Sequence, residues 1–155
     1  MQVSTSASAV APGMTAAELF DRVADPAAAA EFFRGYGPIP AIAEVRLLTP
    51  VPIKAGSRRE VVLVDGSVLG EEVVVFERPR LHRYRIDHFG PPLAKLFRMG
   101  EGAWSFTSER DGARVTWSYR YELTSILAWL AAVLFVKVLM RGAMRRAVNQ
   151  LCQSR

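Results

Sequence analysis

Residues 103–123 read AWSFTSERDGARVTWSYRYEL, and residues 124–140 continue as TSILAWLAAVLFVKVLM. Ala103 to Thr107 and Arg114 to Leu123 are strand-like runs, and Asp111-Gly112 between them suits a tight hairpin turn. Along the second run Val115, Trp117, Tyr119 and Tyr121 fall on one side, with Thr116, Ser118, Arg120 and Glu122 on the other. Thr124 or Ser125 then caps a helix whose first half is apolar on every face. An aromatic strand face needs an apolar partner, and a helix that is apolar all round needs cover all round. A curved sheet wrapped about a long C-terminal helix meets both needs. As a membrane span the helix falls short, because Ile126 to Met140 covers only about 22 Å against roughly 30 Å of hydrocarbon.

Working back from this hairpin, further strands follow one another. Val3 to Val10 alternates small apolar residues with Ser and Thr. Thr15 and Glu18 form a capping box ahead of Leu19, Phe20 and Val23. Asp25-Pro26 opens a second short helix, Ala27 to Phe33, which Gly35 ends. The Gly- and Pro-rich stretch Gly35 to Pro40 breaks regular structure. After it come Ala43 to Leu48, the hairpin Arg59–Val64 and Val68–Phe76, and Arg80 to His88. With no helical pattern between them, the strands form an antiparallel meander. The fold class is α+β, one domain spanning residues 1–155.

The faces of the strands converge on one interior. Trp104 and Phe106 share a side. So do Tyr84, Ile86 and His88, opposite Arg83, Arg85 and Asp87. Rings with polar tips suit an interior that is apolar but incompletely filled; a solid aromatic core is the competing reading. Phe97 belongs to an apolar connection, Phe89 to Gly100, that reads as a lid over one mouth, opposite Tyr36 to Ile42. From the helix, Leu130 and Leu134 are placed at the same cavity. If Asp65-Gly66 is a two-residue loop, Arg59 stands opposite Glu72 and the two pair on the inner face, as a structural salt bridge or a ligand contact. A one-residue bulge would bring Glu71 inside instead.

The order of strand, two short helices, meander and long terminal helix is that of the helix-grip fold. Arg59-Glu60-Val61-Val62-Leu63-Val64-Asp65-Gly66, Glu71-Glu72-Val73-Val74, Pro79-Arg80-Leu81-His82-Arg83-Tyr84-Arg85-Ile86 and Gly112-Ala113-Arg114-Val115-Thr116-Trp117 resemble the polyketide cyclase/dehydrase and lipid-transport branch of the SRPBCC superfamily, the START-like proteins. The resemblance covers nearly the whole chain, and its motifs are mainly structural. It implies a cavity between sheet and terminal helix for lipids, polyketides or other hydrophobic metabolites, and it carries no universal catalytic motif.

Composition narrows the function classes. The 155 residues are half hydrophobic with a net charge of +5; the basic residues are dispersed and match no nucleic-acid-binding signature. Cys152 is the only cysteine, so no internal disulfide forms, and with no basic leader at Met1 to Val10 the expected compartment is the cytoplasm. His82 and His88 are the only histidines, and their spacing makes no metal cluster. No cofactor is expected. If His88 points inward it is a candidate general acid or base, with Arg59 beside it as the other weak catalytic candidate.

The leading expectation is therefore a carrier or binding domain for a hydrophobic small molecule. The enzyme alternative is a cyclase, aromatase or dehydratase using the same cavity. A third is a membrane-surface or homodimeric protein acting through the apolar helix. The stripe Lys137, Arg141 and Arg145 is read first as complementing the negative end of the helix dipole, ahead of contact with anionic lipid.

Overall fold

The structure, a computed structural model, describes residues 1–153; the last two residues of the expected domain lie outside the described residues. Its strands are β1 (Gln2–Pro12), β2 (Ile42–Leu47), β3 (Arg58–Leu63), β4 (Val68–Glu77), β5 (Leu81–His88), β6 (Phe97–Glu109) and β7 (Gly112–Leu123). They form one antiparallel sheet in the order β1-β7-β6-β5-β4-β3-β2. Two short helices, α1 (Ala16–Ala24) and α2 (Ala29–Phe32), follow β1, and a long helix α3 (Ile126–Gln153) ends the chain. This is the α+β helix-grip arrangement.

Local chemistry accounts for the joints. Thr15 Oγ1 accepts the Glu18 backbone N–H at 3.1 Å while a Glu18 carboxylate oxygen accepts the Thr15 N–H at 2.7 Å, closing the capping box that starts α1. Asp25 accepts the Ala27 N–H at 3.0 Å and turns the chain towards α2. β1 crosses back to pair with β7 along its whole length, from Gln2–Glu122 to Pro12–Gly112. A Cβ at Gly112 would sit 2.2 Å from the Ala11 carbonyl oxygen, so only glycine lets the two strands close there.

The β3–β4 turn differs from the two-residue expectation. Leu63 N–H bonds the Ser67 carbonyl at 2.9 Å, leaving Val64, Asp65 and Gly66 as a three-residue loop with Gly66 at φ 87°. The extra residue shifts β4 by one place and exchanges its faces. Arg59 therefore stands opposite Glu71, while Glu72 stands opposite Arg58.

The interior has two parts. At one end Leu19, Phe20, Ala113 and Val115 pack on Met144, Val148 and Leu151 in a solid core. At the other, the sheet, α2, the 90–96 connection and the middle of α3 stand apart. The expected full cover of α3 is absent: its Met144-bearing half is gripped by β1 and β7, whereas Ile126, Leu127, Leu130, Leu134 and Val138 face outward. α3 changes pitch on the way, with a π-helical stretch at Phe135–Met140. A one-residue offset of this kind turns Phe135 and Met140 inward just where the cavity lies.

Candidate functional site

A cavity of about 410 Å³ lies between the concave side of the sheet and α3. Its back wall comes from β5, β6 and β7: Tyr84, Ile86, Trp104, Trp117, Tyr119 and Tyr121. Arg59, Val61 and Leu63 of β3 and Leu69 and Glu71 of β4 form one side. Phe32 and Phe33 at the end of α2, with Phe135 and Met140 of α3, form the other. Pro38 to Pro40 and the connection Phe89 to Leu93, with Leu96, complete the lining.

Stacking fixes the rings. Trp104 and Trp117 lie parallel with centroids 4.2 Å apart, and Tyr119 and Tyr121 lie parallel at 5.2 Å. Gly102 makes room for Tyr84, since a Cβ there would come 2.3 Å from the phenol ring carbon bearing the hydroxyl. That ring then reaches Tyr119, and the two hydroxyls bond at 2.6 Å. Trp117 Nε1–H donates to the Tyr84 hydroxyl at 3.1 Å. Burial pushes the Tyr84, Tyr119 and Tyr121 hydroxyls above their ordinary pKa, so all three are neutral donors and acceptors.

One ion pair enters this apolar space. Arg59 Nε donates to a Glu71 carboxylate oxygen at 2.7 Å, with both side chains at least nine-tenths covered. Burial opposes the charge on Arg59, but the adjacent Glu71 carboxylate and its hydrogen bond outweigh it and hold the guanidinium above its ordinary value. The guanidinium carbon lies 5.5 Å from the Tyr84 ring centroid, a cation–π distance. Among the described residues its Nη atoms have no hydrogen-bond partner, so they remain able to donate to a guest.

Of the residues singled out in the sequence, Arg59, Tyr84, Ile86, Trp104, Trp117 and Tyr119 line this cavity. The others do not. Phe106 is buried against Phe20, with centroids 5.4 Å apart, in the solid core. Phe97 sits behind the wall, 4.5 Å from the Tyr121 centroid. Glu72 faces outward, where Arg58 reaches its carboxylate at 3.3 Å. The three-residue loop is the cause, and Glu71 takes the inner place. His88 is also outside: Gly70 pairs with His88 but Glu71 pairs with Ile86, so Asp87 bulges and the alternation flips. Phe89 turns inward in its stead. Leu130 and Leu134, 74% and 63% exposed, lie on the opposite side of α3 from the sheet.

Tyr121, Phe32 and Phe33 line the cavity as well; alternation along the last strand puts Tyr121 on the inner face but does not single it out for the site. The paired aromatics closing a short helix, just before the Gly35 break, were the available signal. His82, the other histidine, is sealed among Phe20, Phe76 and Tyr84 with neither ring nitrogen bonded. Burial, reinforced by the Arg59 charge, drives its pKa down to about 3, so it stays neutral. Burial likewise raises the Cys152 thiol to about 11, far from a reactive thiolate.

The chain matches the model of a family described as polyketide cyclase/dehydrase and lipid transport over residues 2–153. Among solved structures, an aromatase/cyclase, Zhui, from Streptomyces sp. R1128 superposes with a TM-score of 0.75 at 11% identity, covering 98% of this chain and 92% of that one. Ara h 8.0201 gives a TM-score of 0.70 at 13% identity, with 99% and 100% covered. Norcoclaurine synthase from Thalictrum flavum, solved with a transition-state analogue, gives 0.68 at 13% identity, with 98% and 94% covered. At such identities these likenesses establish the fold. No curated protein matches the chain.

Proposed function

The chain belongs to the polyketide cyclase/dehydrase and lipid transport family of the SRPBCC superfamily, and from that premise we propose that it binds and carries a hydrophobic small molecule with one hydrogen-bonding end. The observation that carries this reading is the 410 Å³ cavity, within the roughly 300–1,000 Å³ range of small-molecule sites, where the Arg59–Glu71 pair of one side meets the Tyr84 and Tyr119 hydroxyls of the back wall in a mainly apolar lining. An apolar body packs against Trp104, Trp117, Leu69 and Phe33. Its oxygen-bearing end accepts from the Arg59 Nη atoms and exchanges a hydrogen bond with Tyr119. If Tyr84 passes its proton to Tyr119 while accepting from Trp117, the Tyr119 hydroxyl is left as donor to the guest.

Native mass spectrometry of the freshly purified protein tests this, together with displacement of an anilinonaphthalene sulfonate probe by fatty acids and aromatic ketones. One molecule bound per chain, weakened at least tenfold in Leu69→Trp, supports the proposal. Failure of every guest to displace the probe, or displacement unaffected by Leu69→Trp, overturns it.

The buried Arg59–Glu71 pair favours a second reading, a cyclase-type enzyme. In an aldol closure a base removes a proton beside one carbonyl and the resulting carbon attacks another carbonyl of the same chain. In this reading Glu71 takes that proton and Arg59 stabilises the developing oxyanion. Turnover of a poly-ketone substrate that vanishes in Glu71→Gln while probe binding persists supports it; binding without turnover leaves the carrier.

A further inference from the structure

We propose that the exposed face of α3 docks this protein on an anionic lipid bilayer. Leu127, Leu130, Leu134 and Val138 recur at helical spacing on one outward face, and Leu127 is 93% exposed. Ile126 and Trp129 flank them, also exposed. Large apolar side chains gathered on one face of a helix, rather than scattered singly, mark a contact surface.

Charge selects the occupant. Between Ile126 and Gln153 the helix carries Lys137, Arg141, Arg145 and Arg146 and no carboxylate. Lys137, Arg141 and Arg145 are exposed on the following turns, Lys137 and Arg141 on the flank of the helix beside Ser4 and Ser6 of β1, and among the described residues none of the three forms an ion pair. An exposed surface that is leucine-rich at one end and cationic at the other matches acyl chains lying beneath a layer of phosphates. A second copy packed along the same helix would present it with identical cations.

The helix rests on the bilayer and does not cross it while the domain stays folded. Ile126 to Met140 alone falls short of a span, but the helix continues to Gln153 and is then long and apolar enough to cross; Met144, Val148 and Leu151 of its second half, however, are committed to the core against the sheet. The apolar end, inserted roughly 5–10 Å, would reach the acyl boundary. That end is tied to the cavity lining: Thr124 Oγ1–H donates to the Lys95 carbonyl at 2.6 Å and Thr124 N–H to the Leu96 carbonyl at 3.0 Å. Leu93 and Leu96 line the cavity. Docking would therefore turn this side of the cavity towards the membrane and spare an apolar guest a passage through water.

Flotation of the full-length chain with vesicles tests the surface alone, with no cavity guest added, so its outcome is separate from that of the binding proposal. Vesicles of phosphatidylcholine with about a third phosphatidylglycerol should bind the protein at low salt, and phosphatidylcholine alone should bind it at least tenfold less. Leu127→Asp/Leu130→Asp and, separately, Arg141→Glu/Arg145→Glu should each weaken binding at least tenfold with unchanged melting, since all four residues are exposed. Trp129 is the exposed tryptophan beside buried Trp104 and Trp117, so a blue shift on vesicle addition should disappear in Trp129→Phe. The proposal is overturned by absence of flotation at low salt, by equal binding of both lipid mixtures, or by light scattering that shows a dimer which dissociates in Leu127→Asp/Leu130→Asp.

Discussion

Replacing Glu71 by leucine removes the one carboxylate that, among the described residues, is bonded to the buried Arg59 guanidinium. Breaking a buried pair from one side costs about 3–5 kcal/mol, because the remaining charge is left uncompensated in a poor solvent. The Tyr84 ring, 5.5 Å away, faces the guanidinium in the wild type as well and offsets none of this, so the loss stays near ~3–5 kcal/mol. For a chain of this length that corresponds to a fall of about 10 °C in Tm. Removing both charges in Arg59→Met/Glu71→Leu leaves an apolar wall of similar volume and should restore stability to within about 1 kcal/mol of wild type. The pair is then coupled by at least about 1 kcal/mol in a double-mutant cycle. Urea unfolding of the four proteins, followed by tryptophan fluorescence, measures it; 1 M salt should leave the coupling largely intact, as befits a pair shielded from solvent. A double variant as unstable as Glu71→Leu would refute the reasoning. The double variant should also retain an apolar probe while losing guests that need the Arg59 donors.

Other predictions follow from the same geometry. Below the unfolded-state pKa of 6.5, His82, held near 3 in the folded protein, resists protonation, so the folded state binds fewer protons than the unfolded one. Stability tied to it is complete above pH 6.5 and falls by about 1.4 kcal/mol per pH unit down to the folded value; His82→Phe should show a flatter profile between pH 6 and 4 in parallel melts, and an unchanged slope would contradict the burial argument. Gly102→Ala should displace Tyr84, lowering both Tm and guest affinity, which calorimetry on the same preparation measures. Leu130→Gln and Leu134→Gln should change stability by less than about 0.5 kcal/mol each, because their side chains already stand in water; losses of 2 kcal/mol or more would return them to the core.

The strands were legible because their alternation is strong. Val115, Trp117, Tyr119 and Tyr121 face inward along β7 as their period of two requires. Two of the misplaced residues, Glu72 and His88, trace to a break in that period. Val64 joins Asp65 and Gly66 in the β3–β4 loop and so exchanges Glu72 for Glu71; the bulge at Asp87 exchanges His88 for Phe89. Each is a local offset with a global effect on which face is inner, and hydrophobic pattern alone under-determines it where Glu71-Glu72 and Asp87-His88 offer polar residues on both sides. The helix failed for a different reason. Its uniform apolarity suggests burial on every side, but the sequence cannot distinguish cover by the sheet from cover by something outside the chain.

Diffraction from crystals grown with a bromine-tagged alkyl or aryl ketone would locate a guest directly. The account predicts one anomalous bromine peak inside the cavity, among Trp104, Leu69 and Phe33, with the ketone oxygen facing Arg59 and Tyr119. A cavity closed by side chains, or bromine found only on the outer surface, would contradict it.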